Sequence, residues 1–256
     1  MAQEVIQFQD VCKAFGSKVV LDHVSFQVHK GETLAVIGPS GTGKSTVLKL
    51  LIGLLQPDSG NILLKGQSVA SYTEEEWDVL RRSMGMVFQY SALFDFLDVG
   101  ENVAFGLRQH TKDTEEEIQR RVAELLRQVG LPEAAHSYPA ELSGGMKKRV
   151  GLARALALNP DIIFYDEPTA GLDPIMANNV SRLILETKKR LGVTSLLVTH
   201  DMASAFLAAD RVLLLSEGHI AFLGTVEETK ASKDPLVREF NSGAAFLAEE
   251  GKGGRP

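Results

Sequence analysis

Cysteine is nearly absent from this chain. Cys12 is the single one in 256 residues, so no internal disulfide can form. Lacking a companion for a metal site, it reads as a buried or half-buried strand residue. Positive charge is not in excess either. Lysine and arginine number 27 against 33 acidic residues, the net charge is −6, and no basic stripe dominates, which argues against nucleic acid as a partner. Long apolar runs are missing. "VLKLLIGLL" and "RVLLLS" are short and carry charged or polar ends, and nothing reaches the roughly 18 residues that suggest a membrane span. "MAQEVIQFQD" lacks a basic region followed by an apolar core, so no secretory signal is expected. There is no internal repeat or low-complexity tract. The chain is expected to be cytoplasmic, and if it works on a membrane another chain must supply the span.

What is present is the balance of a globular protein, 44% hydrophobic and 23% charged residues, with length enough for a sizeable core. "VIQFQDV" and "LDHVSFQVHKG" alternate apolar and polar positions, as half-buried antiparallel strands do. "ETLAVIG" is a continuous apolar run, which predicts a strand buried on both faces, and "KSTVLKLLIGLL" predicts the helix after it. "GNILLKG" reads as a short strand. "TEEEWDVLRRS" opens with an N-cap threonine and acidic first-turn residues. In "TEEEIQRRVAELLRQVG" Ile118, Val122, Leu125, Leu126 and Val129 fall at helical spacing, with Gly130 as the C-cap. From about 90 to 158 only helices are predicted. The buried-strand pattern then returns in "DIIFYDEP", "TSLLVTH" and "RVLLLSEG". A helical insert therefore interrupts an α/β core with a parallel sheet. The polar, Gly-rich end "AEEGKGGRP" has the composition of a disordered tail.

"GPSGTGKST" fits G-x-x-x-x-G-K-[ST] between a predicted strand and a predicted helix, the context a phosphate-binding P-loop requires. Gly38, Gly41 and Gly43 let the backbone turn its N–H groups inward, with Pro39, Ser40 and Thr42 between them, and the helix N-terminus adds positive potential. Lys44 is placed to reach the β- and γ-phosphates, Ser45 to ligate Mg²⁺ and Thr46 to sit near the α-phosphate. Asp166 ends the strand "IIFYD" and reads as the second-shell or water-mediated Mg²⁺ ligand. Glu167, one residue on, is the candidate to polarise the attacking water. His200 leaves the same sheet edge after "SLLVTH" and is read as a γ-phosphate contact. Gln89, in "GMVFQ", takes the equivalent place on another strand and can touch the metal shell. "LSGGM" starts a second helix with an anion-binding turn formed by Ser143, Gly144 and Gly145. "KKR" (Lys147 to Arg149) is read as a solvated helix face.

The order P-loop, Gln89, "LSGGM", "FYDEP", "AGLD", His200 resembles the ATP-binding subunit of ABC transporters, from Phe8 to about Gly224. The resemblance implies an α/β P-loop NTPase with a RecA-like core, an antiparallel β-subdomain and an inserted helical subdomain. Residues 1–230 would form the nucleotide-binding domain, with the helical subdomain at about 90–158, and 231–256 a C-terminal tail. It implies a homodimer in which ATP lies between the P-loop of one copy and the "LSGG" of the other. Phe15 matches the aromatic that stacks on adenine, with a core phenylalanine as the alternative. Asp173 matches the residue that reaches the partner's P-loop. Met146, where the signature usually has glutamine, together with "FQYSALFD" and "DPLVREF", resembles the ATPases of Mla/MCE-type phospholipid transporters. That implies a membrane permease, an MCE-domain protein, and a place on the inner face of the plasma (inner) membrane. In the resembled family C-terminal tails can contact the neighbouring ATPase. Another importer, for amino acids or ions, remains an alternative, as do a soluble ABC ATPase and a non-catalytic scaffold.

Overall fold

A computed structural model describes residues 3–250. The chain opens with two long strands, β1 (Glu4–Phe15) and β2 (Lys18–His29), followed by β3 (Thr33–Ile37) and α1 (Lys44–Leu51). Next come β4 (Ser59–Leu64), β5 (Gln67–Ser68), α2 (Glu74–Arg81) and β6 (Met84–Val87). Three helices follow, α3 (Val99–His110), α4 (Glu115–Gln128) and α5 (Gly144–Ala155). The remainder is β7 (Ile162–Asp166), α6 (Pro174–Leu191), β8 (Thr194–Val198), α7 (Met202–Ala208), β9 (Arg211–Ser216), β10 (His219–Thr225), α8 (Val226–Ala231) and α9 (Pro235–Glu250).

The strands form two sheets. One is antiparallel in the order β2-β1-β4-β5, and the other runs β10-β9-β3-β8-β7-β6. In the second sheet β9, β3, β8, β7 and β6 are parallel. Both of its faces are covered, which explains the continuous apolar runs. Along β7, Ile162 and Phe164 pack with α1 and the antiparallel sheet, while Ile163 and Tyr165 pack with the helices of the insert. Between residues 88 and 161 the chain holds no strand, as its sequence predicts.

Local signals set several boundaries. Thr73 and Thr114 each accept a bond from the backbone of a glutamate three residues on, and that glutamate bonds back, closing capping boxes at α2 and α4. Gly130 lies two residues past α4 at φ 70°. Two expectations need correction. The helix of "KSTVLKLLIGLL" stops at Leu51, because Gly53 turns at φ 74° and the Trp77 ring occupies the space where a Cβ would go. The sheet is also not wholly parallel. Glu217 and Gly218, both at positive φ, turn β9 back into the antiparallel β10.

The stretch expected to be a tail begins as α9, and Val237 and Phe240 pack against the Met202–Ala205 turn of α7 and its neighbours. Of the polar, Gly-rich end predicted to be disordered, residues 248–256, the first three belong to α9, and residues 251–256 lie outside the described residues. Among the described residues no helix is long and apolar enough to cross a membrane.

Candidate functional site

Strand direction and register decide where the polar residues emerge. Val36 of β3 pairs with Val198 of β8, Val198 with Asp166, and Tyr165 of β7 with Val87 of β6. Four parallel strands thus end at one edge. Beyond those ends come the loop starting at Gly38, then His200, Asp166 with Glu167, and Gln89. Ligands of open α/β sheets bind outside that edge. Gln89 lies two residues beyond the end of β6, as His200 lies two beyond the end of β8, so the two hold equivalent places.

Gly38 has φ 148°, and a Cβ there would stand 2.2 Å from the Leu215 carbonyl oxygen, so only glycine lets the loop leave β3 so close to β9. Gly43, at φ 103°, is pressed by Val20 and Leu21 of β2. Pro39, Ser40, Gly41 and Ser45 are exposed, and Thr42 and Thr46 half-buried. The Thr42 hydroxyl donates to the Pro39 carbonyl at 2.9 Å. Lys44 is buried and donates to the carbonyls of Gly38 and Pro39, both at 2.8 Å. Burial lowers its pKa, against the pull of Glu167 and Asp166.

Asp166 is half-buried, and burial raises its pKa, with the charge of Glu167 adding to the rise; Lys148, Lys49 and Lys44 oppose it. Glu167 occupies the left-handed region at φ 47°, unfavourable for a residue with a Cβ. Its N–H donates to the Val198 carbonyl at 2.9 Å. Its carboxylate is turned onto His200, with Oε2 2.9 Å from the ring Nδ1 and accepting from the His200 N–H at 3.3 Å. His200 is otherwise exposed.

The second anion site is built separately. Ser143 is the N-cap of α5, and its Oγ accepts from the Met146 N–H at 3.3 Å. Ser143 and Gly144 are exposed, whereas Gly145 is buried against Met176. Asp173 caps α6, accepting from the N–H groups of Ile175 and Met176 at 3.0 Å. Gly144 lies against Leu172 and Gly145 against Met176, so the starts of α5 and α6 adjoin, and Ile175 in the first turn of α6 is 74% exposed. Phe15 is 49% exposed, with the Lys13 ammonium 5.6 Å from its ring, so core packing does not account for it. Its hairpin is the one that presses on Gly43.

Two readings of the sequence are overturned here. Lys148 is not part of a solvated face: it is 5% exposed and donates to the carbonyls of Gln89 and Glu167. The available signal was its spacing, three residues after Gly145 and four before Leu152, which puts it on the buried stripe of α5. Cys12 does have companions. The β1–β2 register sets it under the His23 N–H, 3.3 Å away, and donor atoms of Cys12, Asp22 and His23 lie within 4.8 Å of one another.

Comparison with known proteins finds relatives along most of the chain. A family model described as "ABC transporter" matches residues 21–170. Protein TRIGALACTOSYLDIACYLGLYCEROL 3, chloroplastic, of Arabidopsis thaliana is 42% identical over 94% of this chain and 74% of its own. The probable ribonucleotide transport ATP-binding protein mkl of Mycobacterium leprae is 41% identical over 93% of this chain and 69% of its own. The intermembrane phospholipid transport system ATP-binding protein MlaF of Escherichia coli K12 is 39% identical over 94% of this chain and 90% of its own. Among solved structures, the dimeric post-hydrolysis state of an ATP-binding cassette bound to ADP and Pi superposes with a TM-score of 0.79 at 31% identity, covering 86% of this chain and 98% of that one.

Proposed function

The chain belongs to the ABC transporter family, and from that membership we propose that it is the ATP-hydrolysing subunit of a phospholipid transporter. It works as a homodimer beneath a membrane permease at the cytoplasmic face of the inner membrane, with an MCE-domain protein as a further partner. The observation that carries the catalytic part is the row of Lys44, His200, Asp166 with Glu167, and Gln89 along a single sheet edge.

Lys44 and the backbone N–H groups from Ser40 to Thr46 bind the β- and γ-phosphates, and Phe15 stacks on the adenine. Ser45, Gln89 and Asp166 offer only oxygen donors, the set that suits Mg²⁺ and not a softer metal. Bound there, the ion would neutralise charge on the phosphate oxygens. Glu167 orients the attacking water and accepts its proton, and His200 holds that carboxylate and reaches the γ-phosphate. Ser143 and Gly144 face outward and, with Gly145 packed behind them, clasp the nucleotide of the second copy, with Asp173 beside them at the junction. The solved relative described as dimeric supports that arrangement.

The permease surface is the aromatic cluster next to Gln89. Tyr90 is 86% and Phe96 77% exposed, and Phe94 stands 4.8 Å from Phe105 and 5.8 Å from Phe96 between ring centroids. Exposed aromatics gathered on one loop and helix suit a protein interface. Phospholipid as cargo is supported by the name of the Escherichia coli relative. A second reading, nucleotide cargo, is favoured by the name of the Mycobacterium leprae relative.

The decisive experiment is Glu167→Gln. It should bind ATP as the parent does, lose about 10²–10⁴-fold in turnover, and accumulate as an ATP-bound dimer on size exclusion. Turnover at the parental rate would remove Glu167 from its role. Mass spectrometry of the gently extracted membrane complex separates the cargo readings, since phospholipid and ribonucleotide differ in mass and in extraction.

A further inference from the structure

Lys148 is a buried cation without a task in the scheme above. A buried ammonium is costly unless acceptors take its N–H donors. The acceptors it finds are main-chain carbonyls, those of Gln89 and Glu167, the latter at 3.3 Å. They belong to different loops, one following β6 and the other following β7.

Arg154, further along α5, donates to the carbonyls of Ser91 at 2.8 Å and Ala92 at 2.6 Å. The helix that begins at Ser143 therefore grips the loop after Gln89 at three carbonyls, and Lys148 crosses from there to Glu167. Both loops need holding. Ser91 sits at φ 62°, Ala92 at 46° and Glu167 at 47°, conformations that residues with a Cβ adopt only when their surroundings enforce them.

We propose that Lys148 is a positioning residue for ATP hydrolysis: its ammonium ties the carbonyl of Glu167 to that of Gln89, so that the carboxylate is aimed only while the Gln89 loop is seated on α5. This rests on the ATPase reading given above. A partner that moves the exposed aromatics beside Gln89 shifts one acceptor of Lys148, and the other acceptor is the backbone of the catalytic glutamate. Three motifs thus meet at one side chain: the phosphate-clasping helix, the partner-facing loop and the base.

The role needs N–H donors more than charge. Methionine matches lysine in length and donates nothing, while the glutamine amide is neutral and carries two donors. The full-length Lys148→Met and Lys148→Gln proteins are compared with the parent for kcat, KM, nucleotide Kd and melting temperature. Lys148→Met should lose at least about tenfold in kcat, with KM and Kd within about twofold. Lys148→Gln should stay within about threefold of the parent in kcat. A folded Lys148→Met running at the parental kcat, equal losses in both variants, or a loss carried by KM alone would each overturn the proposal.

Glu167→Gln is measured alongside. If it turns over like the parent, the ATPase assignment falls. If it is inactive while Lys148→Met is fully active, only the positioning role falls. Should Lys148→Met not fold, backbone amide exchange in Lys148→Gln decides. Parental protection of residues 88–92 and 166–169 together with parental turnover supports the tie. Parental turnover with both segments deprotected, or lost turnover with both protected, overturns it.

Discussion

Ser143 carries two duties that one substitution can separate. It caps α5 through a 3.3 Å bond from the Met146 N–H, and it is proposed to meet the terminal phosphate of the second copy's nucleotide. Aspartate caps a helix as well as serine does, so Ser143→Asp should leave stability unchanged, whereas Ser143→Ala should cost about 0.5–1 kcal/mol. Against the phosphate the order reverses. A unit negative charge about 4 Å from another costs about 4 kcal/mol at an effective dielectric near 20. Taking half of that for screening at an exposed site leaves about 2 kcal/mol per nucleotide. A dimer holds two such sites, so Ser143→Asp should weaken ATP-dependent association by about 4 kcal/mol, roughly 10³-fold. The assay is sedimentation of the Glu167→Gln protein, with and without Ser143→Asp, over a range of concentrations in ATP and Mg²⁺. Melting curves of both proteins should agree within about 2 °C. A double variant that melts normally and dimerises as tightly as Glu167→Gln alone would refute the shared-nucleotide geometry.

Lys44→Ala removes the charged donor at the phosphates and should weaken ATP by about 3 kcal/mol, roughly 10²-fold, in a fluorescence titration; unchanged affinity would place the nucleotide elsewhere. Gly38→Ala sets a Cβ 2.2 Å from the Leu215 carbonyl at a φ of 148°, and should destabilise the fold by about 2–4 kcal/mol. Its melting temperature should accordingly fall by roughly 5–10 °C. His23 bonds to Asp10 at 2.8 Å, and that bond, followed by the charges of Asp10 and Asp22, raises its pKa. The pair therefore stabilises the fold below the ordinary histidine pKa, and the contribution fades as pH climbs through the raised one. Asp10→Asn should move the His23 midpoint downward in an NMR titration, and a midpoint that stayed put would remove Asp10 as the cause.

The parts of this fold that were legible in the sequence are those governed by local chemistry. A run such as "DIIFYDEP" states its burial on both faces, and "GPSGTGKST" states its own conformation through three glycines. Thr73 and Thr114 announce their helices. Three of the misreadings share one character: each depends on a neighbour distant in sequence. Nothing near Gly53 says that Trp77 will lie over it and end α1. Nothing near Cys12 says that a hairpin register will bring it under His23. The charge of Lys148 points to solvent, yet its partners are carbonyls 59 and 19 residues away. β10 is a different case. The two-residue turn at Glu217 and Gly218 was a local hairpin signal in plain view.

Lys44 finds partners within its own loop. Its ammonium, buried and bonded to the carbonyls of Gly38 and Pro39, already has two oxygens for company. Incoming phosphate exchanges those oxygens for its own, so the net gain is smaller than the gross attraction. An ammonium braced by its own loop is aimed by the protein itself, so the shape of the cradle is written into the chain and does not wait on its guest.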